Sequence, residues 1–364
     1  MWPYVYIATF LVSAVLSFFL TPLSGKIARR CNVISVPSER SVHRYPVPLL
    51  GGTGIYFSIF ITILAGVCIV NSSFFPVSLS EYIPGIRSTM GKLFAIISGG
   101  AIVVAFGVID DVKTLRARQK LFLQIIAAII IFSAGIRISL TGPLYSFVIT
   151  IFWLILMMNT FNLMDNMDGL SSGVAFISGL ILFIFAVKMG QLFVATLLAL
   201  FLGSITGFLK HNFPPARIFM GECGSAFLGY FLGTVSILLT FYKYDEHQTF
   251  LPLFAPLVVF SVLFFDTLSV IWIRRKRGFP IFQADRNHLS HRLVDLGMTN
   301  KQAVLFIYLL TICTGIGALL LGSLNIFGGI LILLQVFIIL IIVGILEMTG
   351  RNKGRDKNGK TGMD

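Results

Sequence analysis

Apolar runs of about twenty residues recur from one end of this chain to the other, broken by short polar stretches. In lipid a backbone has to satisfy its own hydrogen bonds, which leaves helices or a closed barrel. The sequence has no series of ~10-residue alternating strands, so each run reads as a spanning helix. Eleven spans are predicted, near residues 3–23, 52–71, 92–109, 119–136, 144–161, 170–188, 190–208, 223–241, 252–273, 303–321 and 327–346. The expected fold class is an all-α polytopic integral membrane protein. Charged residues make up 12% of the 364, about half the ~25% of a soluble domain, and mean hydropathy is +0.91.

Charge sets the expected orientation. With the N-terminus outside, loops 24–51, 110–118, 162–169, 209–222 and 274–302 and the tail from 347 fall inside. Together with Lys120 they hold 23 of the 28 Lys and Arg, as the positive-inside rule predicts. The net charge of +13 is then mainly a topology signal that also favours anionic headgroups, and no motif supports nucleic-acid binding. The first span has neither a basic leader nor a small-residue cleavage site and reads as a retained helix. Cys31, Cys68, Cys223 and Cys313 are scattered, which indicates neither a disulfide framework nor a zinc site. One domain is expected over 1–348, followed by a basic, disordered tail over 349–364.

The unusual polar clusters all fall on the inner side. Residues Asn159–Leu170 read N-T-F-N-L-M-D-N-M-D-G-L at the end of the fifth span. A carboxylate at the centre of a spanning helix costs roughly 2.5–3.5 kcal/mol, so acids at a span's edge are functional candidates. If the helix continues, Asn159, Asn162, Asn166 and Gly169 lie near one face. Asp110 and Asp111 end the third span. They read either as a metal or cation site or as a capping pair neutralised by Lys113 and Arg116. Val36–Gly52 carries Arg40, His43 and Arg44 among prolines and closes on Gly51-Gly52. Lys210–Ser225 contains Asn212, Pro214-Pro215, Phe219 and Glu222 between Gly221 and Gly224 at a helix start. Phe279–Gly297 holds Asp285, Arg286, His288, His291 and Arg292, which suit an anion. Asp266 is a separate acid inside the ninth span and reads as a helix-packing partner. Acids that bind Mg²⁺ with phosphate oxygens, beside Arg and His, suit a diphosphate donor and a lipid-borne phosphate acceptor.

These residues resemble the polyprenyl-phosphate N-acetylhexosamine-1-phosphate transferases, over about residues 36–297. The resemblance rests on P-x-x-R-x-x-H-x-x-P-x-P-x-x-G-G, G-x-x-D-D, N-x-x-N-x-x-D-N-M-D-G-L, F-M-G-E-x-G-S and A-D-R-N-H-L-S-H-R-L, in that order. The eleven-span, N-out and C-in plan looks like the WecA/TagO-type branch; the related MraY-type enzymes have ten spans. The resemblance implies transfer of a sugar-1-phosphate from a UDP-N-acetylhexosamine to undecaprenyl phosphate at the cytoplasmic face of a bacterial inner membrane. UMP would be released and Mg²⁺ required, with Mn²⁺ able to substitute. A homodimer is compatible with the resemblance.

Position by position, the resemblance implies that Glu222 and Asp165 bind metal. It places Asp110, Asp111, Asp165, Asp168 and His288 among the catalytic residues. Arg40, His43, Asn159, Asn162, Asn212, Phe219, Arg286, His291 and Arg292 would contact substrate, with Phe219 stacking on uracil. Two positions depart from the pattern. The metal-binding acid is usually Asp, and here it is Glu222; Ser290 stands where the family has a middle His. A transporter would show repeat symmetry with polar groups at the midplane. Here the acids collect at one edge and no repeat is evident. A scaffold without activity remains the alternative raised by the two departures.

Overall fold

The computed structural model describes residues 1–37, 45–72, 77–139, 142–241, 250–278 and 287–360, with backbone alone for 77, 78 and 348–360. The described chain is predominantly helical and forms two compact units, Met1–Thr240 and Phe241–Asp364. The first unit contains α1 (Trp2–Arg30), α2 (Gly51–Val70), α3 (Ile83–Val112), α4 (Ala117–Ser133), α5 (Pro143–Met164), α6 (Leu170–Lys188), α7 (Leu192–Asn212) and α8 (Gly221–Leu238). Two-residue strands β1 (Ile34–Ser35) and β2 (Val47–Pro48) pair antiparallel between α1 and α2. The second unit contains α9 (Ala255–Val259), α10 (Ser261–Lys276), α11 (Leu289–Asp295), α12 (Asn300–Gly315) and α13 (Ile326–Lys360).

The predicted spans fall on helical residues, the ninth on two helices and a 3-10 turn rather than on one helix. Among the described residues eight helices are long and apolar enough to cross a membrane, and the pair around residue 260, bent by 65°, makes a ninth if it is one span. This establishes a polytopic membrane protein. Helix α4, at 17 residues, is about 26 Å long and short of the ~30 Å hydrocarbon core. The sixth and seventh predicted spans are separate helices, because Gly190 at φ +65° turns the chain between them. The backbone of α13 is helical through the basic segment that composition marks as a disordered tail.

The first unit is packed by small residues, as membrane bundles are. On α1 the buried positions are Tyr6 and then the small residues Ser13, Ser17, Thr21, Ser24, Gly25 and Ala28, while Leu11, Val15 and Phe19 face outward. Gly203 and Gly207, one turn apart on α7, let that helix lie against the backbone of α1: a Cβ on either would overlap the carbonyl of Phe10 or Ala14. Helix α8 is the centre of the unit, with every residue from Cys223 to Ser236 buried. Its glycines admit neighbouring main chain, Gly224 meeting Gly52 of α2 and Gly229 meeting Met157 of α5. Gly107 of α3 sits against the Cα of Cys223 in the same way. The hydroxyl of Tyr230 reaches the carbonyls of Ala95 and Ile96 at 3.2 and 3.1 Å, which ties α8 to α3 further along.

These contacts bring the C-terminal ends of α3, α5 and α7 and the N-terminal ends of α2, α4, α6 and α8 to one end of the unit. Backbone cannot yield to an added methyl group, and overpacking costs about 1–3 kcal/mol. Gly52→Ala is therefore expected to lower the melting temperature of the detergent-solubilised protein by roughly 3–10 °C. Gly66→Ala on the same helix, where nothing lies within 4 Å, should leave it unchanged or slightly raised.

Candidate active site

The first turn of α8 is organised by a carboxylate from α3. Asp111 Oδ1 accepts the backbone N–H of Glu222 at 2.8 Å, and Oδ2 accepts that of Cys223 at 3.3 Å. The first N–H groups of a helix lack partners within it and carry partial positive charge, so an anion there satisfies both needs. Gly221 precedes them at φ +75°, and a Cβ on it would overlap the Asp111 carboxylate. The chain entering α8 is held against the start of α2. Phe219 N–H donates to Pro48 O at 2.9 Å, and Gly51 and Gly52 N–H donate to Phe219 and Met220 carbonyls at 3.0 and 2.9 Å. The Phe219 ring stays half-buried at this end of the unit.

Asp110 has different partners. Its Oδ1 accepts Leu115 N–H at 2.7 Å, and its Oδ2 lies 2.8 Å from Lys120 Nζ. That ammonium is also 3.2 Å from Glu222 Oε2, so one lysine joins both acids. The capping alternative placed Lys113 and Arg116 beside the pair; both are exposed, and the cation comes from the first turn of α4. Lys120 was not singled out from the sequence as a site residue. Its signal was a cation just inside an apolar helix, ten residues after Asp110.

The segment after α5 does not continue the helix. Asp165 is the C-cap at ψ 55°, and Asn166 N–H turns back to Met164 O. Asn166 and Gly169 therefore leave the face expected for them. Asn162, still helical, has Oδ1 3.0 Å from the Ser225 hydroxyl, and its side chain also hydrogen-bonds Glu222. Asp168 Oδ2 accepts Ala216 N–H at 2.9 Å. Asn212 is buried, and its amide accepts from Gly169 N–H and Ser172 Oγ and donates to Ile218 O. It positions the loops of this end rather than presenting an open amide. Asn159, a turn back in α5, donates to Gln124 Oε1 of α4 at 2.9 Å.

Asp165 stands apart among these acids. Among the described residues no group donates to its carboxylate. Desolvation, followed by the charges of Asp111, Glu222 and Asp168, pushes its pKa up to about 7. Across the described residues, no three His, Cys, Asp or Glu side chains already converge as a metal site. The first unit thus offers a partly accessible end where Lys120 joins Asp110 and Glu222, and where the charges of Asp111, Glu222 and Asp168 surround Asp165.

In the second unit, His288, His291 and Arg292 open α11 and are buried. His288 Nδ1 lies 2.9 Å from Asp266 Oδ2, so the acid of α10 has a histidine partner as well as a packing role. Arg40, His43 and Arg286 lie outside the described residues.

Comparison with known proteins follows the same lines. The family described as glycosyl transferase family 4 matches residues 93–240, the stretch from α3 through α8. A Bacillus subtilis (strain 168) protein named "Probable undecaprenyl-phosphate N-acetylglucosaminyl 1-phosphate transferase" is 31% identical over 94% of this chain and 92% of its own length. A Mycobacterium leprae decaprenyl-phosphate N-acetylglucosaminephosphotransferase is 30% identical over 82% of this chain and 79% of its own. A Thermotoga maritima undecaprenyl-phosphate alpha-N-acetylglucosaminyl 1-phosphate transferase is 27% identical, with coverage of 82% and 93%.

The raised pKa of Asp165 gives a signed pH dependence. Its carboxyl ionises near 3.8 when unfolded and near 7 when folded, so in metal-free protein stability falls as pH rises through that window. Asp165→Asn should leave the melting temperature in EDTA nearly unchanged at pH 4 and raise it by roughly 2–6 °C at pH 8. A shift of the same size at both pH values would contradict the clustering of charge.

Proposed function

The chain belongs to glycosyl transferase family 4 and is a phosphoglycosyltransferase, and from that premise we propose that it moves N-acetylglucosamine 1-phosphate from UDP-GlcNAc to undecaprenyl phosphate. The observation that carries this reading is the meeting of five carboxylates and Lys120 at one end of the unit, within the stretch that the family matches. The product would begin a lipid-linked envelope glycan. The proposed setting is a bacterial inner membrane crossed eleven times, N-terminus outside, with the acid end facing the cytoplasm. The charge asymmetry of the loops supports that orientation.

Mg²⁺ is the cofactor we assign, with Mn²⁺ able to substitute. The donor set fits it, since carboxylate oxygens are hard ligands and Asp165 has a carboxylate that no described residue engages. Mg²⁺ takes one or two protein carboxylates and completes its shell with water and phosphate, so three preassembled acids are not needed. Asp165 and Glu222 would hold it, and when bound it neutralises charge on the donor diphosphate.

The reaction is an in-line displacement. An oxygen of the lipid phosphate forms a bond to the β-phosphorus, and the bond from that phosphorus to the bridging oxygen breaks. UMP leaves with the electron pair. A phosphate monoester has its second pKa near 6, so the nucleophile is already largely ionised and needs little help from a base. The protein's task is positioning and charge control. Lys120 keeps Asp110 and Glu222 from separating and offsets part of their charge toward an anionic substrate. Asp111 fixes the backbone on which Glu222 rides. Asn162 and Ser225 hold Glu222's surroundings from α5 and α8.

With purified protein, undecaprenyl phosphate, Mg²⁺ and a panel of UDP-sugars, UMP release should be highest with UDP-GlcNAc and absent without the lipid. Glu222→Ala should lower turnover by about 100-fold or more, in line with loss of an electrostatic group acting on the transition state. Near-normal turnover in that variant would sink the metal assignment.

A further inference from the structure

We propose that Asp266 is a positioning residue that fixes the tautomer of His288 and leaves Nε2 as the proton-accepting atom of that ring. The inference deepens the transferase reading, on which it rests where turnover is concerned. Asp266 is 1% exposed on α10, and His288 is the N-cap of α11. Asp266 Oδ1 accepts the backbone N–H of Leu289 at 2.5 Å, and Oδ2 lies 2.9 Å from His288 Nδ1. A backbone N–H only donates, so the role of Oδ1 is fixed. A carboxylate oxygen facing a ring nitrogen accepts, so Nδ1 carries the proton and the neutral ring keeps its lone pair on Nε2.

The carboxylate is itself held in place. Arg292 Nη2 donates to Ser269 Oγ at 2.7 Å and lies 3.8 Å from Asp266 Oδ1. Its Nε is 3.1 Å from Glu347 Oε1, which brings α13 into the same network. Buried charges are retained where they are paired and hydrogen-bonded; Asp266 meets that condition through α11, and Arg292 links the pair to Glu347 by ion-pair distance alone. A bond that served only to pack α10 against α11 would fix the same tautomer but leave turnover unmoved when it is exchanged, so tautomer and kcat are read together.

That difference makes the proposal testable with one atom exchanged. In Asp266→Asn the Leu289 N–H requires the amide oxygen on its side, so the amide NH₂ faces Nδ1. Nδ1 must then accept, and the proton moves to Nε2. Side-chain ¹⁵N shifts of histidine report the tautomer directly. The full chain, labelled at its five histidines and held in nanodiscs at about pH 8.5, provides the sample, with His288 identified by its loss in His288→Gln.

Wild-type His288 is expected as the Nδ1–H form and Asp266→Asn as the Nε2–H form. With UDP-GlcNAc and undecaprenyl phosphate, kcat of Asp266→Asn should fall roughly 3–10-fold, less than full general-base catalysis because the acceptor phosphate is already largely ionised, while KM changes less than about twofold. Asp266→Glu, which restores an acceptor on both sides, should recover the Nδ1–H form and part of the turnover, which separates tautomer control from misfolding. An Nε2–H form in the wild type, the same tautomer in both proteins, or a switched tautomer with unchanged kcat would each overturn the proposal. Should the wild type release no UMP at all, the transferase reading fails, and the tautomer measurement still decides what Asp266 does to His288.

Discussion

The acid end of the first unit depends on one carboxylate accepting two backbone N–H groups across helices. Asp111 belongs to α3 but completes the first turn of α8, the helix buried from Cys223 to Ser236. A side-chain cap at a helix N-terminus contributes about 0.5–2 kcal/mol, and an anion adds to that through the helix dipole. The positional effect matters as much as the energy. With the start of α8 tied to α3, Glu222 is fixed relative to Asp110, Lys120 and Asn162, which come from three other helices. Two adjacent aspartates thereby divide their work, one facing a helix start and one facing a cation.

The helices and the composition of the site were legible in the sequence because both are written locally. Twenty apolar residues announce a span wherever they occur, and five acids at span edges announce an exceptional place. The partnerships were not legible, because they join residues far apart in the chain. Lys120 and Glu222 are separated by 102 positions and Asp111 and Cys223 by 112. No periodicity encodes such a meeting. Asn212 has a duty its motif does not announce: the resemblance places it among the substrate contacts, and in the fold it ties the start of α6 to the chain entering α8. Asp266 read as a packing acid because its partner, His288, comes 22 residues later, beyond the end of its own helix.

The distribution of charge follows one physical theme. Carboxylates that serve the architecture have donors: Asp111 has two N–H groups, Asp168 has one, and Asp110 has an N–H and an ammonium. Asp165 has neighbours of its own sign and no donor among the described residues. A folded protein that keeps such a group at a partly accessible end holds electrostatic strain there.

The glycine contacts around α8 carry a consequence for how the enzyme can change over time. Every single-base change in a glycine codon that alters the residue adds a side chain or ends the chain. At positions 52, 107, 221 and 224, an added side chain meets main chain, the Asp111 carboxylate or the Met220 side chain. This joint has no small mutational steps that loosen it by degrees. The frame at the start of α8 is thus held to its present residues as a set, and change elsewhere in the unit has to leave that set intact.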